Sequence, residues 1–126
     1  MEFVAEIDGS ARPNPGPGGW GVWLEGPGGK RLQASGRLPY TTNNQAEYRA
    51  LLEAIRLAKD QGATRLVVQT DSKLLVHQIQ GKWEAKDPKL RRLLEEVRRE
   101  AEGLPLEMRW VPRQKNRRAD ALSRRA

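Results

Sequence analysis

The sequence predicts a mixed α/β domain whose five-stranded sheet has three antiparallel strands and two parallel ones, with helices packed on both faces. Three observations lead there. Apolar residues alternate with period two through the stretch before Arg37, the period changes to that of an amphipathic helix at Asn43, and from there short β runs alternate with helical ones. Alternation of the last kind builds parallel strands with helices laid on the sheet. At 126 residues the chain has the size of one domain, spanning 1–126, with no internal repeat or linker.

Glu2 to Asp8 reads as the first strand, with Phe3, Ala5 and Ile7 on one face and Val4, Glu6 and Asp8 on the other. Eight Gly and four Pro follow between Gly9 and Gly29, a linker-like composition. Within it, however, Trp20, Val22 and Leu24 alternate, which predicts a strand over Gly19–Glu25 and a hairpin at Gly26–Gly29. Lys30 to Arg37 returns antiparallel. Asn43 to Gln61 carries Leu51, Ala54, Ile55 and Ala58 on one helical stripe, and Gly62 suits a left-handed stop. Leu66 to Thr70 is long enough only for a strand, and Ser72 to Gln80 for a short helix. Asp87 caps and Pro88 opens a second amphipathic helix, with Leu90, Leu93, Leu94, Val97 and Ala101 inward, ended by Gly103 and Pro105. Leu104 to Val111 is the last strand and Asn116 to Arg125 the last helix.

Composition narrows the chemistry. Hydrophobic residues at 37% and charged residues at 31% suit a soluble globular domain, expected in the cytoplasm and as a monomer. No run approaches the roughly 18 apolar residues of a membrane span, so no membrane partner is expected. Without cysteine there are no disulfides, thiolate zinc sites or cysteine nucleophiles, and the single histidine, His77, excludes a histidine pair. The net charge of +7 is uneven: Gly103 to Ala126 holds seven bases and two acids. Such a surplus serves solubility or forms a footprint for a polyanion.

Four carboxylates stand out. Asp8 and Asp71 each end a predicted strand. If those strands are parallel neighbours, both emerge at the carboxyl edge of the sheet, where open α/β sheets place ligand sites. A turn aspartate and a helix cap are the plainer readings. Glu6 shares the face of Asp8, and only the strand-end position favours Asp8 over it. Glu47 lies on the inward stripe of its helix, four residues before Leu51, although Asn44-Gln45-Ala46-Glu47 also fits a capping box with Glu47 third in the helix. Asp120 sits among bases and fits an ion pair with Arg124 one turn on.

These positions belong to longer motifs. Asp8-Gly9-Ser10, then Asn14-Pro15-Gly16-Pro17-Gly18-Gly19-Trp20-Gly21, resembles the opening of type 1 ribonuclease H. Thr41-Thr42-Asn43-Asn44-Gln45-Ala46-Glu47, Thr70-Asp71-Ser72 and Asn116-Arg117-Arg118-Ala119-Asp120 follow in that family's order, so the resemblance runs from about Phe3 to Ser123. It implies a ribonuclease H-like fold and cleavage of the RNA strand of RNA–DNA hybrids, leaving 3′-hydroxyl and 5′-phosphate ends. It also implies that Asp8, Glu47, Asp71 and Asp120 hold two Mg²⁺ ions, with Mn²⁺ able to substitute. Magnesium's preference for hard oxygen ligands and the two-ion route to phosphodiester hydrolysis agree with that donor set.

By the same resemblance, Asn14, Asn44 and backbone near Gly9 reach the minor groove, where the 2′-hydroxyl marks RNA, with Gln45 close by. Thr42 corresponds to a DNA-phosphate contact and Trp83 to an aromatic against a DNA sugar, while a half-buried core position remains open for Trp83. The sequence departs from many family members in two places. The loop Val111–Asn116 lacks a histidine, for which Arg113 is the available phosphate or leaving-group contact. Glu84-Ala85-Lys86 runs straight into the next helix without a basic protrusion. Affinity is therefore expected to rest on Lys73, Lys82, Lys86 and the basic C-terminal stretch, and to fall steeply with salt.

Overall fold

A computed structural model describes all residues from Met1 to Ala126. Strands β1 (Glu2–Ala11), β2 (Gly16–Gly26) and β3 (Lys30–Thr41) form an antiparallel meander. Helix α1 (Asn43–Asp60) leads to β4 (Arg65–Thr70), which pairs parallel with β1. Helices α2 (Lys73–Ile79) and α3 (Pro88–Glu100) precede β5 (Leu106–Trp110), parallel to β4, and α4 (Arg117–Arg125) closes the chain. The sheet order is β3-β2-β1-β4-β5, so the predicted three-plus-two sheet is present.

Alternation along β1 explains the two layers. Phe3, Ala5 and Ile7 are buried against α1, whose Tyr48, Leu51, Leu52 and Ile55 are fully buried in the same core. Leu90, Leu94 and Val97 of α3 close that core from outside α1, with Leu93 and Ala101 partly covered beside them. The opposite face of β1 and β2 receives α4. There a Cβ on Gly21 would stand 2.5 Å from the Ala119 carbonyl oxygen, so only glycine lets the helix lie this close to the strand. No helix is long and apolar enough to cross a membrane.

Several boundaries differ from the sequence reading, each for a local reason. β1 runs on to Ala11 and β2 starts at Gly16 because the two strands keep pairing through the glycine-rich segment, to Ala11 opposite Gly18. β3 reaches Thr41, with a register shift between Gly16 and Gly18. β5 is shorter than predicted, and a 3-10 turn at Arg113–Lys115 precedes α4. The capping box also lies two residues earlier than expected. Thr42 caps α1, its hydroxyl accepting from the Gln45 backbone N–H at 3.1 Å while the Gln45 side chain accepts from the Thr42 N–H. Glu47 takes no part in the cap and is free for other work. Likewise Ser72 caps α2 by accepting from the Leu75 N–H at 3.1 Å, so Asp71 is no cap. Asp87 and Pro88 open α3 as the sequence indicates.

Candidate active site

Asp8, on β1, and Asp71, just beyond the end of β4, come from adjacent parallel strands and therefore emerge at the same edge of the sheet. Glu47 reaches that edge from the second turn of α1. One carboxylate oxygen from each of the three lies within 4.8 Å of the others. Asp120, near the start of α4, lines the same open cleft of about 330 Å³, together with Asn43, Asn44 and Arg113.

The site is held from several directions. The Gly9 N–H donates to Glu47 Oε1, and the Thr70 hydroxyl stands 3.3 Å from Glu47 Oε2. A Cβ on Gly9 would fall 2.2 Å from the Ala46 carbonyl carbon, so the strand and α1 can meet at Glu47 only because that residue is glycine. The Ser123 hydroxyl donates to Asp8 Oδ2 at 2.6 Å. Asn116 Nδ2 donates to the Ile7 carbonyl at 2.7 Å, fixing the entry to α4 against β1. The Ala11 N–H donates to Asn43 Oδ1 at 2.7 Å.

Burial sets the electrostatics more than crowding does. Asp8 is pushed up from 3.8 to about 6, mainly by burial, opposed by its Ser123 hydrogen bond and helped by the charges of Asp71 and Asp120. Glu47 is held well above the ordinary range, again first by burial, then by Asp8 and Asp71. Asp71 is raised by burial, an effect that the nearby Arg113 charge counters. All-oxygen donors this close, and reluctant to carry bare charge together, fit a hard divalent cation. The nitrogen and sulfur donors typical of structural zinc and copper sites are not among them.

The remaining predicted positions divide. Asn44 lines the cleft. Asn14 lies at its margin, its Oδ1 accepting from the Asn43 N–H at 3.1 Å, which leaves its amide nitrogen unused. Of the backbone near Gly9, expected to meet substrate, the Gly9 N–H itself is taken by Glu47. Thr42 keeps a hydroxyl proton to donate, since its oxygen only accepts in the cap. Gln45 is drawn away from the acidic cleft by that cap and faces a separate groove with Tyr40, Arg49 and Lys89. Arg113 points into the cleft, its Nη2 3.8 Å from Asp120 Oδ1. Lys73 lies over the Trp110 ring, 4.7 Å from its centroid. Trp83 is 47% exposed and stacks on His77 at 4.2 Å, so it is not a core residue.

Asp120 does pair with Arg124 at 3.2 Å, and it lines the cleft as well, so the two readings of that residue coexist. Sequence reasoning gave Ser123, Asn116 and Thr70 no role. Thr70 and Asn116 stand in the motifs that carry Asp71 and Asp120, and Ser123 lies one turn after Asp120. Which groups these three hold is visible only in the fold.

A sheet of this order with acidic groups gathered at the carboxyl edge of its two central parallel strands defines a ribonuclease H-like domain. The chain belongs to the reverse transcriptase-like family, whose model matches residues 6–126, and within it the chain resembles type 1 ribonucleases H. It is 40% identical over 125 residues to ribonuclease HI of Halobacterium salinarum, covering 97% of this chain and 62% of that protein. It is 38% identical over 126 residues to a bifunctional protein of Mycobacterium tuberculosis, covering 98% of this chain and 35% of that one. Thus the chain spans less than two thirds of the length of either relative. Among solved structures, the RNase H1 of H. salinarum superposes with a TM-score of 0.94 at 37% identity, over 100% of this chain and 97% of that one. LC11-RNase H1 in complex with an RNA/DNA hybrid gives 0.92 at 34% identity, over 98% and 95%.

Proposed function

We propose that this chain is a metal-dependent endoribonuclease that hydrolyses the RNA strand of RNA–DNA hybrids, leaving 3′-hydroxyl and 5′-phosphate ends. The observation that carries the reading is the convergence of Asp8, Glu47 and Asp71, from three separate segments, to within 4.8 Å at the rim of an open cleft that Arg113 also lines. The hybrid held by LC11-RNase H1, a structure of the same fold, supports the choice of substrate.

Asp8, Glu47, Asp71 and Asp120 would hold two Mg²⁺ ions, for which Mn²⁺ could substitute. When bound, such ions lower the pKa of an attacking water and neutralise charge on the leaving 3′ oxygen. The protein's own groups do the rest. Gly9 and Thr70 fix the Glu47 carboxylate, and Ser123 fixes that of Asp8. Arg113 offsets phosphate charge at the mouth of the cleft, filling the place for which the sequence offers no histidine. Asn44 and the free amide nitrogen of Asn14 offer hydrogen bonds to 2′-hydroxyls, which DNA lacks. The Thr42 hydroxyl donates to a DNA phosphate, and exposed Trp83 packs on a DNA sugar. Lys73, carried on Trp110 beside the Asp71 edge, adds charge along the duplex.

End-labelled hybrid, RNA duplex, DNA duplex and single-stranded RNA, each incubated with Mg²⁺, Mn²⁺ or EDTA, test this directly. Cleavage of the hybrid's RNA strand with either metal, and none in EDTA, is expected. Hybrid binding without cleavage under any of these conditions would replace the enzyme with a binding module.

A further inference from the structure

Next to the acidic cleft lies a second one of about 240 Å³ whose chemistry is the opposite. Arg12, Arg37 and Arg124 line it together with Ser10, the buried Ser123 and the last residue, Ala126, and no Asp or Glu side chain does. Neither Arg12 nor Arg37 belongs to any of the molecule's ion pairs. Arg124 links the two clefts, because its Nε pairs at 3.2 Å with Asp120, which lines the acidic one. Ser10 and Arg12 line both clefts, so the two are continuous.

We propose that this arginine-lined cleft binds a backbone phosphate of the strand being cut, a few nucleotides from the scissile one. The inference rests on the hybrid-cleaving reading above and extends it to a subsite. Two arguments carry it. A cleft walled by four carboxylates repels a polyanion, so cations beside it must hold the strand in place. Guanidinium forks left without carboxylate partners match phosphate oxygens in shape and charge. Distance gives the second argument. Ser10 and Arg12 lie two and four residues beyond Asp8 on and just past β1, about 7 and 13 Å along an extended strand. A nucleic-acid strand advances roughly 3.4 Å per nucleotide along its axis, so the phosphate reached lies about two to four nucleotides from the cut.

The test uses Arg12→Ala/Arg37→Ala and Arg12→Lys/Arg37→Lys beside wild type. Both arginines are exposed, so all three proteins should melt alike. Hybrid binding is followed by fluorescence anisotropy in EDTA from low to high salt. The slope of log K against log salt should be shallower by about one in the alanine variant, the loss of one phosphate contact, and near wild type in the lysine variant. Cleavage kinetics on a short hybrid carrying one uncharged methylphosphonate then place the contact. In the cut strand, at one position two to four nucleotides from the cut, it should raise wild-type KM about tenfold, as loss of a charged hydrogen bond does, and leave the alanine variant unaffected. An unchanged salt slope, an equal effect in both proteins, or an effect confined to the DNA strand overturns the subsite. If wild type cuts no hybrid yet the slope still changes, the phosphate site stands and the catalytic reading falls.

Discussion

At Asp8 a carboxyl that an unfolded chain would release near pH 3.9 keeps its proton in the fold up to about 6. Between those values the folded state binds more protons than the unfolded one, so this group's contribution to stability declines as pH rises through the window. Asp8→Asn removes the penalty. In EDTA at pH 8 the variant should melt about 3–6 °C above wild type, with the gain vanishing near pH 4. Its cleavage should fall by at least two to three orders of magnitude, the scale on which charge-stabilising groups act. A gain of equal size at both pH values, or normal cleavage, would refute the role given to Asp8. Glu6 is the contrast. It is buried on the same face of the same strand, yet it bonds to Arg118, which also pairs with Glu25 at 2.8 Å and lies over Trp23. Glu6→Gln should therefore cleave hybrid within about threefold of wild type while costing about 1–2 kcal/mol of stability, as denaturant unfolding would show.

Helices α1 and α4 bring carboxylates to the sheet from opposite faces, and in each case a glycine on the strand sets the approach. At Gly21 an added methyl would meet the Ala119 carbonyl at 2.5 Å and the Ser123 nitrogen at 2.6 Å, both backbone atoms that cannot swing aside. Gly21→Ala should cost about 1–3 kcal/mol, the range for forced overpacking, and push α4 outward with Asp120 and Ser123 upon it. Loss of activity should then exceed the loss of folded protein at 25 °C. Full activity in the folded fraction would show that the position of α4 is not critical. The short run from Thr42 to Glu47 shows how one element serves two purposes. The cap at Thr42 starts the helix, and the next turn delivers Glu47 to the Gly9 amide.

Across the whole molecule, cations crowd around an acidic centre. The chain carries +7 overall, while Asp8, Glu47 and Asp71 concentrate negative charge where burial resists it. Mg²⁺ should thus raise the melting temperature of wild type at pH 8. At a hundred times its Kd a ligand stabilises by about 2.7 kcal/mol, and Asp71→Asn should lose most of that rise in a thermal melt. Hybrid affinity should fall with salt at a slope of about −4 or steeper. The order and type of elements were legible in the sequence because each depends on residues near one another: alternation in β1 and β2, the stripe of α1, the Asp87-Pro88 start of α3. The motif order also carried the four carboxylates. That Ser123 bonds to Asp8, that Asn116 bonds to the Ile7 carbonyl, that Arg118 claims Glu6 and that three arginines face one groove were settled only by tertiary structure. Each joins residues distant along the chain. Asp8 meets Ser123 and Glu6 meets Arg118 across more than a hundred residues, and no local pattern records which side chain a folded partner will claim.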